Sequence, residues 1–132
     1  MTRRELRENV FLMLFRVEFH DDGEMAEQLR LLEEDLEFEK AEDLEYINHK
    51  CKDIIAKVTE IDAAINESTK GWKTTRMSKV DLSIIRLAVY EMKYEDDIPA
   101  KVSVNEAVEL AKKYGADESA SFVNGVLAKF VC

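Results

Sequence analysis

The sequence predicts an all-α fold, a bundle of six to seven helices. Three observations carry this. Apolar residues recur at three- and four-residue spacing along most of the chain, and no segment alternates with period two for long enough to form a strand. One proline and four glycines are too few for the many turns of a β-sandwich. Ser/Thr and Asp/Glu pairs three residues apart, the signature of a capping box, stand just before several apolar runs.

Taken in order, "TRRE" opens a first helix over about Arg3 to Phe19, with Thr2 as N-cap and Glu5 reaching back. Its middle, Val10 to Phe15, is apolar on all sides, so other elements should surround it. Gly23 breaks it, and a second helix follows over about Glu24 to Leu36. The third is read from Leu44, Ile47, Cys51, Ile54, Ile55 and Val58; Ile61 and Ile65 carry the stripe through a bend into a short fourth helix ending near Gly71. Ser78 with Asp81 caps a fifth over Val80 to Tyr94, apolar on two sides and therefore central. After Pro99, Ser103 with Glu106 reads as a third capping box, opening a helix that Gly115 stops in the C′ position. A last helix runs from about Glu118 to Val131. Gly125 in its middle costs about 1 kcal/mol relative to alanine, which implies that another helix crosses closely there.

At 132 residues the chain is expected to be one domain, long enough to bury a core without staples. Hydrophobic residues make up 46%, which excludes wholesale disorder despite 36% charged residues. Cys51 and Cys132 have neither a CxxC partner nor a histidine pair nearby, so neither a disulfide framework nor a zinc site is expected. The charged start and a first apolar run of six residues, "VFLMLF", fit no signal peptide, and no stretch is long enough to span a membrane. A cytoplasmic protein is expected, with no cofactor and no membrane partner.

The net charge of −9 is unevenly spread. Residues 1–16 carry +2 and residues 70–86 carry +4, whereas residues 18–46 carry −11. Net charge alone argues against a nucleic-acid partner. A basic patch still binds RNA when the acids lie on other faces, because repulsion is screened within about 8 Å at physiological salt. Arg3, Arg4 and Arg7 crowd the N-terminal turns of the first helix, where the macrodipole disfavours cations. As a solvated face they would aid solubility only. As an anion site, dipole and guanidiniums together await phosphate.

No catalytic set is visible. His20 and His49 stand near no nucleophile at suggestive spacing, the acidic run "EEDLEFEKAEDLE" lacks the glycine-centred loop of an EF-hand, and there is no P-loop or dinucleotide fingerprint. An enzyme is not expected.

"RLAVYE" at Arg86 to Glu91, "DIP" before a strand-like "KV", "NEAVELAKKYG" at Asn105 to Gly115 and "FVNGVL" at Phe122 to Leu127 closely resemble the bacterial NusB family of transcription antitermination factors. Trp72, Arg76 and the arginine-rich start fit as well. The likeness covers nearly the whole chain and is most specific from about Val80 to Phe130. The same pattern occurs at the N-terminus of certain rRNA cytosine methyltransferases, which continue into a large catalytic domain; an end at Cys132 favours the free-standing factor. The resemblance implies two packed three-helix subdomains that bind the boxA element of ribosomal RNA leader transcripts. Binding is as a heterodimer with NusE, a small-subunit ribosomal protein, within the RNA polymerase antitermination complex. Carried over residue by residue, it assigns RNA contact to Arg3, Arg4 and Arg7, and to Glu118 through a base edge or a water. Arg76 to Asp81 is the expected partner-facing edge, being polar, punctuated and next to the central helix. A protein-only adaptor, docking basic partners on the acidic segment, is the alternative. Oligomeric state is not legible, and a homodimer stays open.

Overall fold

The computed structural model describes residues 1–18, 34 and 40–131, which divide into two compact units, 1–56 and 57–132. Six α-helices and no strand lie among the described residues. The expected helix over Glu24 to Leu36 lies outside them.

In the first unit, α1 (Arg3–Glu18) packs on α2 (Ala41–Ala56). The capping box forms reciprocally: the Glu5 amide donates to Thr2 Oγ1 at 3.1 Å, and the Thr2 amide donates to Glu5 Oε1 at 3.2 Å. Val10, Phe11, Met13 and Leu14 are buried, as are Ile47, Cys51 and Ile54 of α2. The Cys51 thiol donates to the Val10 carbonyl at 3.5 Å, and burial pushes its pKa up to about 12. The Met1 ammonium meets Asp43 Oδ2 at 2.8 Å, so the start of α1 is tied to α2.

The second unit holds α3 (Val58–Thr69), a 3-10 turn (Thr74–Arg76), α4 (Lys79–Tyr94), α5 (Ala100–Tyr114) and α6 (Ser119–Ala128). The bend expected after the third stripe falls at Lys57. α4 is the central helix, and it packs on α3, α5 and α6. Nine of the ten residues from Leu82 to Glu91 are buried, Arg86 being the half-buried exception. Arg86 meets Asp62 of α3 in a bidentate ion pair at 2.8 and 2.7 Å. Burial raises the Asp62 carboxyl and lowers the Arg86 guanidinium, and the bidentate pairing opposes both shifts by favouring the charged forms. The Ser78 cap is as expected, its hydroxyl accepting from the Asp81 amide at 3.1 Å.

Three local expectations are corrected. Ser103 does not cap α5. Pro99 stands at the N-cap and its carbonyl accepts from the Val102 and Ser103 amides, so the helix opens one turn earlier. Proline suits a helix start, where its missing N–H costs nothing. Ser103 is then buried, and its hydroxyl donates to Glu91 Oε1 at 2.8 Å, satisfying a carboxylate that is only 1% exposed. The "KV" segment, Lys101 and Val102, is accordingly helix and not strand. Gly125 is exposed, and a Cβ there would meet nothing within 4 Å. No helix of this unit crosses at Gly125, because α6 packs through Val123, Val126 and Leu127 instead.

Candidate nucleic-acid interface

Arg3 and Arg4 are exposed on the first turn of α1, while Arg7 is half-buried. The helix dipole contributes less here than the sequence suggested. Its positive end is already answered by the Glu5 carboxylate, whose pKa is lowered first by the amide hydrogen bond from Thr2. The guanidiniums stand on a turn pinned by the capping box and by the Met1–Asp43 pair. Such a site holds phosphate by charge and fork geometry, independent of sequence.

The second unit carries a groove of about 500 Å³, lined by Trp72, Arg76, Met77, Asp81, Glu118 and Phe122 among others. Each wall has a local cause. The Trp72 carbonyl accepts from Thr69 Oγ1 at 2.6 Å, and the Thr74 amide donates to Asn66 Oδ1 at 2.8 Å, which fastens the loop between α3 and the 3-10 turn. Asp81 stands in the first turn of α4. Glu118 stands at the N-cap of α6, after a turn that only glycine permits at position 115. A Cβ on Gly115 would fall 2.5 Å from Ser119 Cβ and 2.8 Å from the Ala111 carbonyl oxygen. Its φ of −91° is ordinary, so the requirement is space, not the left-handed conformation expected of a C′ glycine. The Ser119 hydroxyl accepts from the Ala116 amide at 2.9 Å and closes the turn.

The structure thus joins two groups that the sequence kept apart. Glu118, expected at RNA, and Arg76 with Asp81, expected at a protein partner, line one groove. Sequence reasoning missed Trp72 as a functional candidate. It is 57% exposed, its ring edge-on to Phe122 at 5.5 Å. A signal was present: the only tryptophan of the chain lies between Lys70 and Lys73, in its most basic segment.

The NusB family pattern matches residues 4–131. The chain belongs to the NusB family. It is 67% identical over 130 residues to a transcription antitermination protein NusB of Agathobacter rectalis, covering 98% of this chain and 99% of that one. The NusB structure of T. maritima superposes with a TM-score of 0.84 at 36% identity, covering 98% of this chain and 90% of the other. A crystal structure of antitermination factors NusB and NusE in complex with double-stranded RNA superposes with a TM-score of 0.83 at 26% identity, covering 97% and 94%. The NusB-like helices identified from the sequence motifs at Arg86–Glu91, Asn105–Gly115 and Phe122–Leu127 are those that build the second unit's core and one wall of its groove.

Proposed function

We propose that this chain is a transcription antitermination factor that binds boxA RNA of ribosomal RNA leader transcripts together with NusE, within the RNA polymerase antitermination complex. It works in the cytoplasm on nascent transcripts and acts by assembly, without catalysing a reaction. The observation that carries the reading is the pinned, arginine-bearing first turn of α1 in a member of the NusB family. Relatives of that family have been crystallised with NusE and RNA. Among the described residues no helix is long and apolar enough to cross a membrane.

Arg3 and Arg4 receive phosphates, and Arg7, half-buried behind them, orients the turn. Glu118 meets RNA through a base edge or a bridging water, since a carboxylate repels phosphate. Arg76 and Asp81, the expected partner-facing edge, line the same groove as Glu118, which supports a partner that adjoins the RNA.

Titrating a boxA-like single-stranded RNA into the chain, into NusE and into the pair tests this. The pair should bind more tightly than either protein alone, with a coupling of about 1–3 kcal/mol that is equal when measured from the RNA or from the NusE side. Arg3→Ala with Arg4→Ala should weaken binding and flatten the slope of log affinity against log salt by about 1.4, the share of two phosphates on a single strand. A double variant that binds like the parent, with an unchanged slope, removes the arginines from the interface and favours the protein-only adaptor.

A further inference from the structure

The sequence holds five asparagines, and one of them, Asn124, is followed by glycine. An asparagine before glycine is open to attack by its own backbone, because the next residue has no Cβ to shield its nitrogen from the asparagine side-chain carbonyl. The other four are held or hindered. Asn9 Nδ2 donates to the Glu5 carbonyl at 2.9 Å, and Asn66 Oδ1 accepts from the Thr74 amide at 2.8 Å. Asn48 Oδ1 is buried, and Asn105 precedes Glu106. Asn124 stands exposed on α6, and its side chain enters no hydrogen bond among the described residues. Gly125 is exposed beside it, with open space where its Cβ would be.

A closed α6 keeps this pair inert. The Gly125 amide belongs to the i→i−4 ladder, and a helical ψ of about −42° holds its nitrogen out of the plane of the five-membered ring it would form with Asn124 Cγ. The fold therefore sets the rate of attack. α6 is poorly equipped to stay closed by itself. It has ten residues, fewer than the ~12–15 at which an isolated helix becomes even marginal. Glu118 at its N-cap makes no side-chain cap bond, and the interior glycine lowers its helix propensity. What holds α6 is the burial of Val123, Val126 and Leu127.

We propose that Asn124 is a deamidation site gated by local opening of α6, and that isoaspartate formed there prevents the helix from closing again. In the open segment the Gly125 nitrogen attacks Asn124 Cγ. A C–N bond forms, the Cγ–Nδ2 bond breaks, and ammonia leaves with the proton of the Gly125 amide. Water then opens the succinimide. Attack at Cγ leaves aspartate; attack at the main-chain carbonyl carbon leaves isoaspartate, whose chain runs on through Cβ and Cγ. That chain has an extra backbone atom, so the 13-atom hydrogen-bonded rings that span it no longer close. Val123 lies on one side of the fault and Val126 and Leu127 on the other, and both halves cannot return to the core in register. Aspartate only adds a charge on an exposed face.

The full chain is aged in mildly alkaline buffer, with and without denaturing urea. Mass spectrometry follows the tryptic peptide from Tyr114 to Lys129, in which Asn124 is the only asparagine. Hydrogen exchange of the Gly125 amide is measured in the same native buffer. The fold should slow conversion, relative to urea, by the factor by which it slows Gly125 exchange, within about threefold, since one opening gates both. That factor should be smaller than the one for Val89, fully buried in the central helix. Asn124→Gln should lose the conversion in both buffers. Gly125→Ala should slow native conversion by about 2- to 5-fold beyond its effect in urea, as alanine favours the closed helix. Aged native material is then separated by charge and melted. The isoaspartate fraction should melt at least about 5 °C below the parent, and Asn124→Asp should melt like the parent. No conversion in urea overturns the site. Conversion as fast in native buffer as in urea overturns the gate, as does conversion far slower than Gly125 exchange allows. Gly125 exchange as slow as that of Val89 ties opening to global unfolding and overturns α6 as the gate. An isoaspartate fraction that melts like the parent, or no lower than Asn124→Asp, overturns the block to closing.

Discussion

The arginine turn of α1 and the Trp72 loop are both basic and both pinned, but they are pinned differently. On α1 the charges ride a helix whose start is closed by its own capping box, and whose first residue is tied to Asp43. Beside them the Glu5 carboxylate is occupied with Thr2. On the loop, the charges flank an exposed indole beside an unsatisfied carboxylate oxygen. The first arrangement supports affinity without sequence. The second supports selective recognition. A helix presents charges at fixed spacing, whereas a groove gathers unlike chemistries from distant parts of the chain, and selectivity needs the latter.

If that difference is real, damage to the groove's frame should leave the arginine turn working. The largest effect is expected from Gly115→Val. Its Cβ would strike Ser119 and the Ala111 carbonyl oxygen, and a backbone oxygen cannot step aside as a flexible side chain can. The clash should cost about 3 kcal/mol and shift the start of α6, moving Glu118. Thermal melting should show the loss. RNA binding by the folded fraction should keep its salt slope, while the emission of Trp72, the sole tryptophan, should shift as Phe122 moves against it. A groove that survives this substitution intact would mean that the turn at Gly115 does not set it.

Ser103→Ala is expected next. It removes the donor to Glu91, leaving a buried carboxylate short of one hydrogen bond between α4 and α5, at a cost of about 2 kcal/mol. Chemical denaturation should register this at an unchanged m-value, with the arginine turn unaffected. Ser103→Thr, which keeps the hydroxyl, should recover most of the loss. Equal stability of Ser103→Ala and the parent would show that Glu91 finds its partners elsewhere.

The converse test strikes the first unit. Thr2→Ala deletes the N-cap and should cost about 1 kcal/mol. Because the cap also fixes the turn that bears Arg3 and Arg4, RNA affinity should fall modestly with Trp72 emission unchanged. A shift of that emission in this variant would erase the separation between the two sites.

How much of this was readable beforehand follows from distance along the chain. The boxes at Thr2 and Ser78 were legible because capping is a bond between residues three apart, and nothing nearby competes. Ser103 carried the same pattern and failed, because Pro99 four residues earlier claims the helix start. The all-helical class and the central role of α4 were legible from period alone, since a helix apolar on two sides must be enclosed. The groove was not. Trp72, Asp81 and Glu118 come from a loop and two helix starts, and no local rule brings positions 72, 81 and 118 together. Even the basic segment around Trp72 showed its charge but not its exposure, which only the pinning by Thr69 and Asn66 decides.

Gly125 gives the smallest expected effect and the one of opposite sign. From sequence, a mid-helix glycine implied a close crossing, and a side chain there should have been ruinous. The structure places Gly125 on the exposed face of α6 with nothing within 4 Å of a Cβ. Within the unit, then, the glycine only adds backbone freedom to the unfolded chain and withholds helix propensity. Gly125→Ala should therefore stabilise the protein, by between about 0.5 and 1 kcal/mol, and raise the melting temperature by a few degrees. The substitution lies one turn beyond Phe122 on the helix that forms the groove wall, so it also asks whether that wall must stay bare. A stabilised variant with the same RNA affinity and Trp72 emission shows that the groove ends before Gly125. A stabilised variant that binds RNA or NusE more weakly shows that a ligand approaches the backbone there, and a destabilised one would restore the crossing that the sequence first implied.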